Sequence, residues 1–146
     1  MSPTIFIDGE HGTTGLQIRT RLEKRKDIDL ISLAVGDRRN VGLRRQMLNE
    51  ADLVILCLPD EAARESVSMI ENPIVKVIDA STAHRVAEDW VYGMPEYDIN
   101  QKDLIAEAKR VSNPGCYAIA SIGLLHPLTS TGLLPSDFPI TINAIS

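Results

Sequence analysis

Apolar and polar positions along this chain alternate between two periods. Residues 4–7 (Thr-Ile-Phe-Ile) form a short β-rich run closed by Asp8-Gly9, and residues 14–25 then carry helix formers with apolar positions at Leu16, Ile18 and Leu22. A second strand is predicted over residues 29–35, followed by the turn residues Gly36-Asp37 and a helix over 41–50 that Asn40 can cap. The third run, 52–58, has a core of Leu53-Val54-Ile55-Leu56-Cys57, apolar on both faces as a central parallel strand requires. Pro59 and Asp60 end it and open a helix over 61–70, and a fourth strand is predicted over 74–79. Residues 80–97 are less regular, with Trp90, Tyr92, Gly93 and Pro95 spaced as in loops and short extended pieces. A short helix over 100–108, capped by Asn100 with Asp103 three residues on, precedes a fifth strand at 110–112.

Strands and helices that alternate with short connections imply right-handed βαβ units, a parallel sheet and helices on both faces. The predicted fold class is therefore α/β, a doubly wound parallel sheet of the Rossmann type. Ligands of such sheets bind outside the carboxyl ends of the strands, and Gly9–Gly15, Asp37–Arg39, Pro59, Ser81 and Cys116 all follow strand ends. The tail breaks the alternation: 119–128 is nearly all apolar, Ser130-Thr131-Gly132 makes a loop, and 139–145 starts a fresh β-run. A lone strand with nothing to pair against is a liability. The expected division is a dinucleotide-binding domain over 1–115, then a nucleophile helix and the first strand of an incomplete α+β substrate domain over 116–146, completed by further chain or by a partner.

Composition narrows the class. A chain of 146 residues with 44% hydrophobic and 24% charged content has the size and make-up of one globular domain. A net charge of -5 argues against a nucleic-acid partner, and the basic cluster Arg19, Arg21, Lys24, Arg25, Lys26 is interleaved with Glu23 and Asp27 as on a solvated helix face. No stretch approaches the roughly 18 to 20 apolar residues of a membrane span, and the N-terminus lacks a signal-peptide pattern, so a cytoplasmic setting without membrane contact is expected. Two cysteines, Cys57 and Cys116, make no disulfide framework, and three scattered histidines predict no metal site. Cys57, inside an apolar strand, reads as core.

The chemistry centres on Ser112-Asn113-Pro114-Gly115-Cys116-Tyr117. Cys116 follows a Pro-Gly turn and opens an apolar helical run, a placement that suits a catalytic nucleophile better than the alternative of a small buried hydrophobe. A helix N-terminus carries about half a positive charge and several unpaired N–H groups; both favour a thiolate, and the N–H groups can also hold an oxyanion. Between the first strand and helix, Gly9-x-x-Gly12-x-x-Gly15 lets backbone N–H groups approach a pyrophosphate, although a glycine-rich turn without ligand also fits this uncommon spacing. The expected dinucleotide contacts are Gly9, Gly12, Thr13, Thr14, Gly15 and, after the third strand, Pro59. His11 either touches a phosphate or is simply exposed. After the second strand an acid favours the ribose hydroxyls of NAD and arginines favour the extra phosphate of NADP. The chain offers Asp37 and then Arg38 and Arg39, and two adjacent guanidiniums suit a dianionic phosphate, so the expected cofactor is NADP(H).

Five segments taken in order, Ile7-Asp8-Gly9-Glu10-His11-Gly12-Thr13-Thr14-Gly15, Cys57-Leu58-Pro59-Asp60, Ile78-Asp79-Ala80-Ser81-Thr82-Ala83-His84-Arg85, Tyr92-Gly93-Met94-Pro95-Glu96 and Ser112 to Tyr117, resemble the shorter subclass of the N-acetyl-gamma-glutamyl-phosphate reductase family of arginine biosynthesis. The resemblance spans essentially the whole chain. It implies that Cys116 attacks the acyl carbon of a small acyl phosphate, expels phosphate and forms a thioester that hydride from NADPH converts to the aldehyde. It also implies that Ser81 and Arg85 lie near the substrate, with Arg85 meeting the phosphate bidentately, and that the enzyme is a homo-oligomer built through its second domain. On the residues alone, Arg85 fits an ordinary surface ion pair as well, and Asn113 fits either an orienting role toward the cysteine or acyl oxygen or a plain turn before Pro114.

The histidine that this family uses as general acid/base is expected beyond Ser146. His126 lies ten residues after Cys116 on one helix, about 15 Å away at 1.5 Å per residue, and so cannot be the base. His84, after the fourth strand, could approach the site. Two rival readings are an aspartate-semialdehyde dehydrogenase-like enzyme acting on a shorter acyl phosphate and a non-catalytic dinucleotide-binding module. Acyl chain length is not encoded in these residues.

Overall fold

The computed structural model describes residues 2–145. In chain order the elements are β1 (Thr4–Asp8), α1 (Thr13–Leu22), β2 (Asp29–Ile31), α2 (Val41–Glu50), β3 (Leu53–Leu56), α3 (Asp60–Ser68), β4 (Lys76–Asp79), β5 (Val91–Tyr92), α4 (Gln101–Glu107), β6 (Arg110–Ser112) and α5 (Cys116–Ser130). The six strands make one sheet in the order β2-β1-β3-β4-β6-β5, and every pairing is parallel. After β2 the chain crosses back over β1 to lay down β3 on its other side. The switch point of this doubly wound sheet therefore lies between β1 and β3, where such folds bind ligands.

The strand alternation sorts the core onto two faces. Phe6, Val54, Leu56 and Val77 point to one side and pack with Leu48 of α2, Ala63 of α3, Met69, Ala83 and Trp90. Ile5, Ile7 and Ile55 point to the other and pack with Ile18 and Leu22 of α1, Ile28, Leu30, Leu53 and Cys57. Asn40 caps α2 as its sequence position predicts, its side-chain oxygen accepting from the N–H groups of Gly42 at 3.0 Å and Leu43 at 3.2 Å.

Several sequence expectations are corrected. Leu16 is 55% exposed, so only Ile18 and Leu22 anchor α1. The second strand is three residues long, because from Ser32 the chain leaves β1 and turns. One of the short extended pieces expected within 80–97 is the strand Val91–Tyr92, paired in parallel with β6. Asn100 has helical backbone angles and makes no side-chain cap; the preceding Asp98 carboxylate accepts its N–H instead, at 3.0 Å. Residues 139–145 form no strand: a strand is made by backbone pairing with a neighbouring strand, and no strand pairs with this run among the described residues. Ser146, the last residue of the expected second domain, lies outside the described residues. No residue of α5 is buried, and Leu124 and Leu128 stand exposed. Among the described residues no helix is long and apolar enough to cross a membrane.

Candidate active site

The turn between β1 and α1 is built on contacts that only glycine permits. Gly9 has φ +91°, and a β-carbon there would stand 2.3 Å from the Cys57 carbonyl oxygen. Gly15, in the first turn of α1, approaches so closely that a β-carbon would stand 2.2 Å from the Gly9 carbonyl oxygen. The loop thus folds flat against the end of β3, and Gly12 caps α1 in extended backbone with its carbonyl accepting from Leu16 N–H at 2.8 Å. The N–H groups of Thr13, Thr14 and Gly15 are left at the open helix end, where an anion is favoured.

A cavity of about 300 Å³ opens beside this turn, at the switch point. Its lining includes Gly9, Gly12, His11, Leu33, Leu58, Arg38 and Arg39. Asp37 and Pro59 are not part of it; Pro59 instead precedes α3 as its N-cap. Three charged groups that sequence reasoning did not single out also line it: Asp8, Glu10 and Arg44. Arg44 donates to Asp8 from Nε at 2.8 Å, and Ser66 Oγ donates to the same carboxylate oxygen at 2.8 Å. Glu10 is bound by Arg19 and by Ser32. Both acids are thus neutralised, whereas Arg38 and Arg39 make no ion pair among the described residues.

The second half of the site lies at the ends of β4 and β6, which pair Asp79 with Ser112. The Asn113 N–H donates to the Asp79 carbonyl at 2.7 Å, carrying the pairing one step past the strand. Cys116 is exposed in the first turn of α5, with Gly115 as an extended N-cap whose carbonyl accepts from Ile119 N–H at 2.9 Å. From the loop after β4, Arg85 donates through Nε to the Asn113 carbonyl at 3.1 Å and through Nη2 to the Ala80 carbonyl at 3.4 Å. Its Nη1 meets no acceptor among the described residues.

That loop is shaped by the fully buried Asp79. Ser81 spends its hydroxyl on the Asp79 carboxylate at 2.7 Å and accepts the Ala83 N–H at 3.1 Å. His84 Nδ1 meets the same carboxylate at 2.6 Å, and its ring stacks on Trp90 with centroids 4.2 Å apart. Thr82 donates its N–H to Asp60 at 2.9 Å and its hydroxyl to the other carboxylate oxygen, which holds the Asp60 carboxyl below the usual range. Asn113 donates its side-chain amide to the Pro114 carbonyl at 3.3 Å, a turn-shaping bond. Of the other histidines, His11 lies 3.7 Å from Glu10 and His126 stacks on Tyr97 at 5.0 Å. Cys57 is half-buried, and burial, with the Asp79 and Asp8 carboxylates adding to it, pushes its thiol up to about 11.

Residues 4–106 match the family described as the NAD binding domain of semialdehyde dehydrogenase. The chain belongs to that family. It therefore carries a domain for a nicotinamide dinucleotide, in keeping with the glycine turn and cavity at the sheet's switch point. Over all of its length it is 61% identical to an N-acetyl-gamma-glutamyl-phosphate reductase of Chelativorans sp. and 60% identical to one of Mesorhizobium japonicum, in each case covering 47% of the relative. The chain thus spans about half the length of the curated relatives it matches. In fold it resembles the aspartate semialdehyde dehydrogenase of Francisella tularensis, at a TM-score of 0.63 and 17% identity over 89% of this chain and 41% of that one. Aspartate semialdehyde dehydrogenase II of Vibrio cholerae aligns with a TM-score of 0.64 and 18% identity over 90% of this chain and 42% of its own.

Proposed function

We propose that this chain is the cofactor-binding and nucleophile-bearing part of an NADPH-dependent reductase that converts N-acetylglutamyl 5-phosphate to N-acetylglutamate 5-semialdehyde and phosphate. The observation that carries this reading is the exposed Cys116 at the open end of α5, in a turn tied to Arg85, on the same sheet edge as the dinucleotide cavity. Relatives named for that reaction at 60–61% identity support the choice of acyl phosphate.

In this mechanism the Cys116 thiolate attacks the acyl carbon, the carbon–oxygen bond to phosphate breaks, and phosphate leaves with the acyl group now on sulfur. Free N–H groups in the first turn of α5 receive the oxyanion. Arg85, with Nη1 uncommitted beside this turn, meets the leaving phosphate. Gly9, Gly12, Arg38 and Arg39 of the cavity would hold a nicotinamide dinucleotide, whose chemistry when bound would be to supply the hydride that reduces the thioester. The carbon–sulfur bond then breaks, which releases the aldehyde and returns the thiolate.

For the dinucleotide, NADP(H) is the better fit. Both acids of the cavity are neutralised by Arg19 and Arg44, Asp37 stands outside it, and Arg38 and Arg39 make no ion pair among the described residues. That charge balance favours a 2′-phosphate. The direct test follows phosphate release from N-acetylglutamyl phosphate without nicotinamide. A burst equal to the chain concentration, absent in Cys116→Ser, is expected; no burst in the folded chain contradicts the proposal.

A further inference from the structure

In dinucleotide-binding folds the acid that accepts the ribose 2′-hydroxyl comes from the end of the second strand. Here β2 ends at Ile31, and the next residue is Ser32, which has no charge. The carboxylate at that strand end arrives instead from the first βα loop. Glu10 Oε2 accepts from Ser32 Oγ at 3.0 Å, and Glu10, only 7% exposed, lines the dinucleotide cavity. Left free, a buried carboxylate there would accept a 2′-hydroxyl and repel a 2′-phosphate.

It is not free. Arg19, on α1, donates Nη1 to the same Glu10 oxygen and to Ser32 Oγ at 2.5 Å, while its Nε is fixed by Glu23 at 2.7 Å. Arg19 thereby cancels the Glu10 charge at the end of β2 and leaves Arg38 and Arg39 to set the sign of the cavity on that side.

We propose that the Glu10–Arg19 pair determines cofactor choice: Arg19 masks the Glu10 carboxylate so that a 2′-phosphorylated dinucleotide is accepted, and unmasking it turns the site toward the unphosphorylated form. This rests on the reading of the cavity as an NADP(H) site. Sequence spacing hides the pair, because the acid sits in the glycine-rich loop rather than on the second strand.

The test is calorimetric titration of the full chain with NADPH and with NADH, with the shift of melting temperature by each as a second readout. Arg19→Met should lower NADPH affinity by about tenfold or more while NADH affinity holds or rises, and adding Glu10→Gln to it should restore the NADPH preference. Such rescue would not follow from a merely structural loss. Glu10→Gln alone, which keeps the Ser32 acceptor, should raise the NADPH-to-NADH affinity ratio several-fold and serves if Arg19→Met does not fold. Parallel weakening toward both dinucleotides, or no rescue in the double variant, overturns the inference alone, provided that NADPH is preferred and that Arg38→Gln and Arg39→Gln weaken it. If the unmodified chain shows no NADPH preference, the underlying reading of the cavity falls and the inference with it.

Discussion

Arg85 seats its guanidinium against the bare α-carbon of Gly115: a β-carbon at 115 would stand 2.8 Å from Arg85 Nη1. The same side chain ties together the carbonyls of Asn113 and Ala80. One residue from the loop after β4 thus holds the turn that presents Cys116. A lysine, with its single ammonium point, cannot reproduce this planar fork. Arg85→Lys should slow acylation of Cys116 by about a hundredfold, the cost of a small misplacement of reacting groups, with little change in melting temperature. Phosphate-burst kinetics beside a thermal melt check this, and an unchanged burst rate contradicts it.

The close packing of the glycine turn predicts a steep contrast between two glycines. At Gly15 an alanine must displace the Gly9 carbonyl, a backbone atom, whereas no described residue stands within 4 Å of a β-carbon at Gly36. Gly15→Ala should destabilise the chain by about 1–3 kcal/mol, and Gly36→Ala should stay within about 0.5 kcal/mol of the parent. Urea denaturation of the three chains measures both; equal stabilities would mean that the turn does not lie against the helix as described.

The two cysteines should separate cleanly by reactivity. Alkylation needs the thiolate, and Cys57 is half-buried with its thiol pushed up to about 11, while Cys116 is exposed. Iodoacetamide at pH 8 should modify Cys116 in the folded chain and reach Cys57 only in denaturant, as read by peptide mapping. The raised value also sets a sign for stability. The folded chain holds the Cys57 proton more tightly than the unfolded one, so this contribution is complete below the ordinary 9.0 and is lost as pH rises from there toward about 11. Cys57→Ala should remove that alkaline loss, and an identical alkaline profile in parent and variant would contradict it.

Asp60 acts in the opposite direction. The Thr82 hydroxyl, and then the Thr82 N–H, hold its carboxyl below the ordinary 3.8, so it contributes stability above that value and loses it as pH falls through the lower folded value. Asp60→Asn should be less stable than the parent at pH 6 and match it once both carboxyl states are protonated in acid. The comparison needs only melts across an acid series; a gap that persists into strong acid would mean that the link works without the carboxylate's charge.

Much of this architecture is legible in the sequence, and the failures have a common cause. The strand and helix periods are local, so β1, β3, β4 and their helices stand where the apolar runs place them, and the turn residues mark Gly9–Gly15 and Cys116 as strand-end positions. Val91–Tyr92 is too short to show a period and exists as a strand because β6 lies beside it; residues 139–145 have the period but no paired strand among the described residues. The same limit applies to the site. Asp8 finds Ser66 across 58 residues and Arg44 across 36, and Glu10 finds Ser32 across 22, so no spacing rule exposes these pairs. The resemblance puts Ser81 near the substrate, and in the fold its hydroxyl is bonded to Asp79.

In the proposed reaction Cys116 takes up the acyl group. Intact-mass spectrometry of the chain and its Cys116→Ser variant, after incubation with N-acetylglutamyl phosphate and no nicotinamide, tests it most directly. A single N-acetylglutamyl adduct is expected on the parent, mapped to the peptide bearing Cys116 and absent from the variant. An unmodified parent that is folded and binds NADPH, or an equal adduct on the variant, would contradict it.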